Sequence, residues 1–189
     1  IMKKTNVDLK KLYDAVHAAD NHFFTVPPIK ESIEIFKEVK NWQGLRVLEI
    51  GCGLGDLSAM IAAAGASEVI ACDYSQSSIM KAKKNYQMKN LKYLCEDFYN
   101  LRFDKDFDVI VLQGVLEHFD QPWKSLSYII ENFLSKSGTV INSCPAFYNP
   151  RGYIWMTLQL LFDVPMSLTD LHFLDISDFK EYAFKNNLK

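Results

Sequence analysis

The sequence predicts an α/β domain with a doubly wound, mostly parallel sheet of about five strands. Short β-branched runs alternate with helical apolar patterns from Leu45 onward, and a glycine-rich turn follows the first run. The chain has 189 residues, of which 49% are hydrophobic, so it is long enough to bury the core of one ordinary domain. We therefore expect a single domain over residues 1–189.

The elements of this sheet can be predicted in order along the chain. The predicted strands cover residues 45–50, 68–72, 91–95, 107–112 and 138–143. Three helices are predicted between these strands. The first covers residues 57–64, the second begins after a cap at Ser75, and the third has Pro122 in its first turn. Before the sheet, residues 8–20 and 29–39 have amphipathic patterns; after it, 151–162 and 177–185 favour helices around a loop at 163–175.

Composition and charge exclude several classes of function. The formal net charge is −2, from 21 basic and 23 acidic residues mixed along the chain, so no electrostatic footprint for nucleic acid or an anionic membrane is present. The four cysteines form no CxxC pair, which predicts reduced thiols and a cytoplasmic protein. The apolar run at 153–162 is far shorter than the ~20 residues of a membrane span. Four scattered histidines predict no metal site.

The turn at residues 51–55 has glycine at every second position and lies between a predicted strand and a predicted helix. Such a turn presents backbone N–H groups to a ligand. A dinucleotide-binding turn would have its third glycine at position 56, where this chain has Asp56, which would repel a pyrophosphate. A cofactor with a cationic end and no phosphate, such as S-adenosylmethionine, would tolerate Glu49 and Asp56. Glycines that only make a tight turn are the alternative.

Two further positions agree with a nucleoside-containing cofactor. Asp73 ends the second strand 22 residues after Gly51 (73 − 51), about the distance at which an acidic side chain meets ribose hydroxyls in such folds. Asp97 and Phe98 follow the third strand, where a carboxylate can accept from an adenine amino group and an aromatic ring can pack on the base. A strand-end aspartate can also be a simple helix cap.

The motifs at 47–55, 71–75, 96–98, 107–110 and 115–119 together resemble those of the class I S-adenosylmethionine-dependent methyltransferases, particularly the branch with the ubiquinone-biosynthesis methyltransferases. The resemblance spans roughly residues 45–145. It implies a Rossmann-like fold and methyl transfer by in-line displacement to a small-molecule acceptor, with S-adenosylhomocysteine as the product. The implied cofactor-binding residues are Glu49, Gly51, Cys52, Gly53, Asp73, Tyr74, Asp97, Phe98, Gln113 and Gly114.

The resemblance also implies a role for each part of this set. Gly51, Cys52 and Gly53 would pass beneath the methionine end of the cofactor, and Glu49 would orient it. Asp73 would hold the ribose hydroxyls. Gln113 and Gly114 would line the floor beneath the sulfonium. Cys52 is interpreted as a small turn residue, because no partner base lies at a recognisable spacing.

The C-terminal part departs from the family pattern. Ser137 and Thr139 replace a proline and a glycine that the family has before the fifth strand. Family members continue into two more strands, and we expect this chain to lack them, which would leave the fifth strand at an open edge and favour a homodimer. We divide the domain into an N-terminal helical cap (1–44), a cofactor-binding core (45–145) and an acceptor-side lid with a C-terminal helix (146–189).

His118 is the candidate general base, because it follows the fourth strand on the carboxyl side of the sheet and its ordinary pKa is close to neutrality. A structural role for the Leu-Glu-His turn is the alternative. His172 and Tyr148 are candidates for contact with the acceptor. Three other functions stay open: an NAD-dependent oxidoreductase, which Asp56 disfavours, a non-catalytic homologue that keeps the cofactor, and a partner subunit of a methyltransferase.

Overall fold

A five-stranded parallel sheet in the order β3-β2-β1-β4-β5 forms the centre of the fold. The computed structural model describes residue 11 and residues 29–145, 150–162 and 172–189. The strands are β1 (Arg46–Ile50), β2 (Glu68–Asp73), β3 (Leu91–Cys95), β4 (Phe107–Gln113) and β5 (Leu134–Ser143). All neighbouring pairs are parallel. The predicted α/β class and the number of strands are confirmed.

The helices lie where the apolar spacing predicts them. They are α1 (Ile29–Glu38), α2 (Asp56–Ala63), α3 (Gln76–Asn85), α4 (Pro122–Phe133), α5 (Pro150–Phe162) and α6 (Ile176–Lys185). Two short 3-10 turns, Phe98–Asn100 and Leu116–His118, follow β3 and β4. The predicted helix at 8–20 and most of the predicted loop at 163–175 lie outside the described residues.

The central strands are buried on both faces, which explains why they appear in the sequence as continuous apolar runs. On one face, Leu48 and Ile110 pack against α4 through Ile129. On the other face, Val47 packs against α2 through Ile61. Alternate residues of β1 therefore face different layers of helices, and this alternation fixes which side chains can reach the site.

Local hydrogen bonds mark the beginnings of the helices. The Ser78 N–H donates to Ser75 Oγ at 3.3 Å, which confirms the predicted cap of α3. Asp175 and Asp178 form a reciprocal capping box at the start of α6. Gly65, just after α2, has a φ of 92°, a left-handed conformation that ends the helix there.

The predicted start of the fifth strand was wrong, whereas its predicted end at Ser143 is confirmed. β5 begins at Leu134, directly after α4, rather than at Gly138. Its pairing with β4 moves from Leu134 opposite Phe107 to Thr139 opposite Val109, so the extra residues of β5 bulge out between these two contacts. The residues before Gly138, which we expected to precede the fifth strand, thus belong to the strand as an irregular segment.

Three sequence-based expectations concern absences. No helix among the described residues is long and apolar enough to cross a membrane. All four cysteines are free. Within residues 29–145, 150–162 and 172–189, no group of acidic, histidine and cysteine side chains is arranged to hold a metal ion.

Candidate active site

The carboxyl ends of β1 to β4 meet at one edge of the sheet, because neighbouring parallel strands run in the same direction. The loops that leave these ends enclose a cavity of about 130 Å³. Its walls are formed by Ile50, Gly51, Cys72, Asp73, Tyr74, Glu96, Asp97, Phe98, Val115 and Phe119. Five predicted cofactor-binding residues, Gly51, Asp73, Tyr74, Asp97 and Phe98, therefore come together around one cavity.

The turn after β1 passes so close to its neighbours that glycine is required at position 51. The N–H groups of Gly51 and Cys52 donate to the Cys72 carbonyl at 2.8 and 3.0 Å, which holds the turn against the end of β2. Gly51 has a φ of 73°, and a Cβ there would lie 2.4 Å from Val115 Cγ2. A larger residue would displace either the turn or the loop after β4.

The other two glycines of the turn serve different purposes. Gly53 has a φ of 51° and nothing within 4 Å of a Cβ position, so this part of the turn faces open space. A Cβ on Gly55 would lie 2.4 Å from the Tyr93 hydroxyl oxygen, so the third glycine allows packing against β3. The close approach of Tyr93 therefore explains why position 55 is glycine.

Asp73 connects the glycine turn to the start of α3. Its Oδ2 accepts from the Gly53 N–H at 3.0 Å, and its Oδ1 accepts from the Ser75 N–H at 2.8 Å. Asp73 thus also has a structural role, because it accepts a hydrogen bond from the backbone of Ser75, the residue that caps α3. The same side chain lines the cavity, where an acceptor-only group suits the hydroxyls of a ribose.

Aromatic side chains make one wall of the cavity. Phe98 is 6% exposed, and its ring centroid lies 5.0 Å from that of Phe119. Asp97 Oδ1 accepts from the Tyr99 N–H at 3.0 Å and so caps the short turn after β3. Phe98 and Asp97 therefore lie together beside the cavity, one as an apolar surface and the other as an exposed carboxylate.

The cavity is acidic. The charged residues that line it are Asp73, Glu96 and Asp97, and none is basic. Asp56 lies nearby at the start of α2, where it accepts a hydrogen bond from the Tyr86 hydroxyl at 2.6 Å. Several carboxylates near one site disfavour a phosphate and favour a ligand with a positive charge.

Glu49 lies behind the turn rather than in the cavity wall. It is 2% exposed, and its Oε2 accepts a hydrogen bond from the hydroxyl of Ser58 on α2. Burial raises the pKa of Glu49 to about 7; the Ser58 hydroxyl opposes this rise, and the nearby Asp56 and Asp73 carboxylates add to it. Its predicted role in orienting the methionine end would therefore act through the turn.

Cys52 is 7% exposed and does not line the cavity. Burial, together with the nearby Asp73 and Glu49 carboxylates, raises the pKa of its thiol well above the ordinary range. A protonated, buried thiol is a poor nucleophile. The environment of Cys52 agrees with its interpretation as a small turn residue.

Gln113 and Gly114 lie at the end of β4, beside the cavity but outside its lining. Gln113 Oε1 accepts from the Ser32 hydroxyl at 3.0 Å, which ties α1 to this strand end. The Gly114 N–H donates to the Ser143 carbonyl at 3.1 Å. The residue that reaches the cavity is the next one, Val115.

Both histidine candidates lie beside Glu117, one through its side chain and the other through its backbone. The His118 side chain is 14% exposed, and its Nε2 lies 4.0 Å from Oε1 of Glu117, whose side chain is 2% exposed. The His172 N–H donates to the Glu117 carbonyl at 3.2 Å. The Nε2 of His172 is buried without a hydrogen-bond partner in the part of the chain that the structure describes. Tyr148, the other acceptor candidate, lies outside the described residues.

The predicted set of site residues missed five that line the cavity: Ile50, Cys72, Glu96, Val115 and Phe119. Ile50 and Cys72 are strand-end residues, so the edge rule for parallel sheets could have identified them. Val115 and Phe119 lie within a motif that the sequence analysis matched, on either side of the Leu116–His118 turn. Their apolar side chains could not be assigned to a pocket wall from the sequence, because the pocket forms only where this loop packs against the loop that contains Phe98.

Comparisons with known proteins agree with this geometry. A family model described as a methyltransferase domain matches residues 47–138. A ubiquinone biosynthesis O-methyltransferase from Dictyostelium discoideum is 34% identical over 100 residues, which cover 46% of this chain and 31% of that protein. One from Schizosaccharomyces pombe is 33% identical over 115 residues, or 58% of this chain and 42% of that protein. A malonyl-[acyl-carrier protein] O-methyltransferase from Bacillus cereus is 28% identical over 100 residues, or 52% and 37%. The matches thus span less than half of each relative.

Solved structures share the fold over most of the chain. DhpI, in a structure described as a DhpI-SAM-HEP complex, aligns with a TM-score of 0.72 at 17% identity and covers 98% of this chain and 91% of its own. A putative methyltransferase in complex with the Trm112 activator of Haloferax volcanii aligns with a TM-score of 0.67 at 19% identity, covering 92% and 74%. The sheet order, the glycine turn and the family model matched over residues 47–138 together support a class I S-adenosylmethionine-dependent methyltransferase.

Proposed function

We propose that this chain binds S-adenosylmethionine across the cavity and the glycine turn, and that it transfers the methyl group to an oxygen atom of a small-molecule acceptor. The observation that carries this proposal is the charge of the cavity, whose charged lining residues are all acidic. This cofactor has no phosphate and carries a positive sulfonium, so it suits such a site. An oxygen acceptor is supported by the relatives named above, which are O-methyltransferases.

Each wall of the site fits one part of the cofactor. Asp73 would accept hydrogen bonds from the ribose hydroxyls, beside Tyr74. Phe98 would pack on the adenine ring, with Asp97 accepting from its amino group. The open space over Gly53 leaves room for the methionine end to lie close to the backbone.

Bound here, S-adenosylmethionine would supply an electrophilic methyl group. The chain must then hold the acceptor about 3–3.5 Å from that methyl and keep water out. The contact between Ser32 and Gln113 places α1 over the end of β4, where it can exclude water. His118 would take the proton of the acceptor hydroxyl, and the Glu117 carboxylate 4.0 Å away would stabilise the resulting imidazolium.

The remaining parts of the proposal concern the surroundings of the site. His172 and Tyr148 would contact the acceptor, within a lid over residues 146–189. The edge of β5 would pair with a second copy of the chain in a homodimer, and a cytoplasmic location is consistent with the four free thiols. A cofactor-binding homologue or partner subunit without its own activity is the alternative.

Transfer of a labelled methyl group tests the proposed function. The purified chain is incubated with methyl-labelled S-adenosylmethionine and a pool of small molecules that carry hydroxyl or carboxyl groups. We expect label in one class of acceptor and an equal amount of S-adenosylhomocysteine. Binding of the cofactor without transfer to any acceptor would instead identify a non-catalytic homologue.

The role of His118 can be separated from a structural role in the same assay. His118→Ala should lower turnover by about 10²–10⁴ and leave cofactor affinity nearly unchanged, because the base acts only on the acceptor. The melting temperature provides the control. A lower melting temperature with normal turnover would show that the Leu116–His118 turn only holds the loop in place.

A further inference from the structure

Glu49 is a buried carboxyl group that takes no chemical part in the proposed methyl transfer. It lies on β1 between Ala71 of β2 and Val111 of β4. Its hydrogen-bond partner is Ser58, which is itself fully buried. A carboxylate in such a place is costly unless a positive charge is close, because the interior solvates ions poorly.

The groups around Glu49 supply no such charge. Asp56 on α2 and Asp73 on β2 are carboxylates, and the other ionisable neighbours are the thiols of Cys52 and Cys72 and the hydroxyl of Tyr93 on β3. Of the described groups that act on Glu49, none is cationic. Among the described residues, no positive charge therefore stabilises an ionised Glu49 until a ligand brings a positive group to the turn.

We propose that Glu49 is a proton-linked part of the cofactor site: it holds a proton in the free protein and releases that proton to solvent when the cationic end of S-adenosylmethionine binds over the glycine turn. This inference rests on the proposed function. The step is an exchange in which the carboxylic acid becomes a carboxylate and the ligand's positive charge replaces the proton's.

The pKa of Glu49 determines the pH range in which this proton exchange occurs, and that range is near neutral pH. Burial raises its pKa to about 7, so roughly half of the free molecules carry the proton at that pH. A cation nearby favours the ionised form and lowers the pKa. By linkage, protonation must weaken cofactor binding by the same factor, so the contribution of Glu49 makes binding about tenfold weaker at pH 6 than at pH 8.

The demethylated product should show a weaker linkage. S-adenosylhomocysteine lacks the sulfonium charge, so it lowers the pKa of Glu49 less and releases fewer protons on binding. The site would then distinguish substrate from product by charge, and the difference in affinity between them should widen as the pH rises through 7.

Calorimetric titration in two buffers of different ionisation enthalpy measures the protons released. At pH 7 the wild-type chain should release on the order of half a proton more per S-adenosylmethionine than Glu49→Gln does. The ligand's own amino group contributes equally to both proteins and cancels. Glu34→Gln, an exposed change on α1, should behave as the wild type. Equal proton release by the wild type and Glu49→Gln overturns the inference.

Ser58→Ala provides a second test that does not depend on the folding of Glu49→Gln. The Ser58 hydroxyl lowers the pKa of Glu49, so its loss should move the pH of half-maximal affinity upward. An unchanged pH profile in Ser58→Ala overturns the inference. Failure of the wild-type chain to bind S-adenosylmethionine at any pH would reject the proposed function itself, whereas binding without release linked to Glu49 would reject only the proton linkage.

Discussion

The glycine turn after β1 and the open edge at β5 lie on either side of β4, and they are packed in opposite ways. Every residue of β1 after Arg46 is buried, whereas no residue of β5 is. A groove of about 810 Å³ separates β5 from α1, and one of about 880 Å³ separates it from α4 and α6. The cofactor half of the molecule is thus closely packed, whereas the β5 side is partly open.

This difference teaches how one fold can keep its cofactor while changing its acceptor. The turn is specified by positive φ angles and close approaches, so few substitutions are compatible with it. The β5 side has room for another segment or partner. Specificity is commonly built in such variable regions on a rigid scaffold.

The largest effect on the free energy of unfolding is expected at Gly55, in the glycine turn. Gly55→Ala combines a φ of 82° with a Cβ 2.4 Å from the Tyr93 hydroxyl, so we expect it to lower the free energy of unfolding by about 3 kcal/mol or more. Gly44→Ala is the matched control, since Gly44 has a φ of 79° but nothing within 4 Å, and it should cost about 1–2 kcal/mol. Similar losses in urea denaturation of both variants would show that the turn is not sterically determined.

The next effect concerns binding on the turn side. Asp73→Asn removes a charged acceptor of hydrogen bonds, which are worth about 1.5–3 kcal/mol, and should weaken S-adenosylmethionine binding by about ten- to a hundredfold. The exposed Asp104→Asn serves as the control and should bind as the wild type. Unchanged affinity of Asp73→Asn in calorimetry would remove this residue from the site.

The smallest effect on stability is expected at the β5 edge. Thr139→Lys places a charge on an exposed position of the edge strand, so it should change the free energy of unfolding by less than about 0.5 kcal/mol and leave cofactor binding intact. Light scattering should show a dimer for the wild type and a monomer for the variant. A wild-type chain that is monomeric at every concentration tested would contradict the proposed pairing of β5.

The same contrast explains what the sequence could predict. The strands from β1 to β4, the Ser75 cap and the glycine turn follow from local patterns, because each element is specified by its own residues. The start of β5 could not be predicted, since the bulge between Leu134 and Thr139 exists only through pairing with β4. A strand boundary of this kind depends on the partner strand.

The candidate site likewise contains some residues that the sequence could predict and others that it could not. Motif order identified Asp73 and Phe98, which line the cavity. The position of Glu49 behind the turn could not be predicted, because it depends on which face of β1 meets α2 and on the contact with Ser58. The contribution of Val115 and Phe119 likewise requires the packing of two loops that are distant in the sequence.

The central claim is that the acidic cavity and its glycine turn accept S-adenosylmethionine rather than a dinucleotide. Calorimetric titration of the purified chain with S-adenosylmethionine, S-adenosylhomocysteine and NAD tests it directly. We expect saturable binding of the first two ligands at one site and no measurable binding of NAD, because the described lining residues include no basic group for the pyrophosphate. Binding of NAD with equal or higher affinity, or no binding of S-adenosylmethionine, would contradict it.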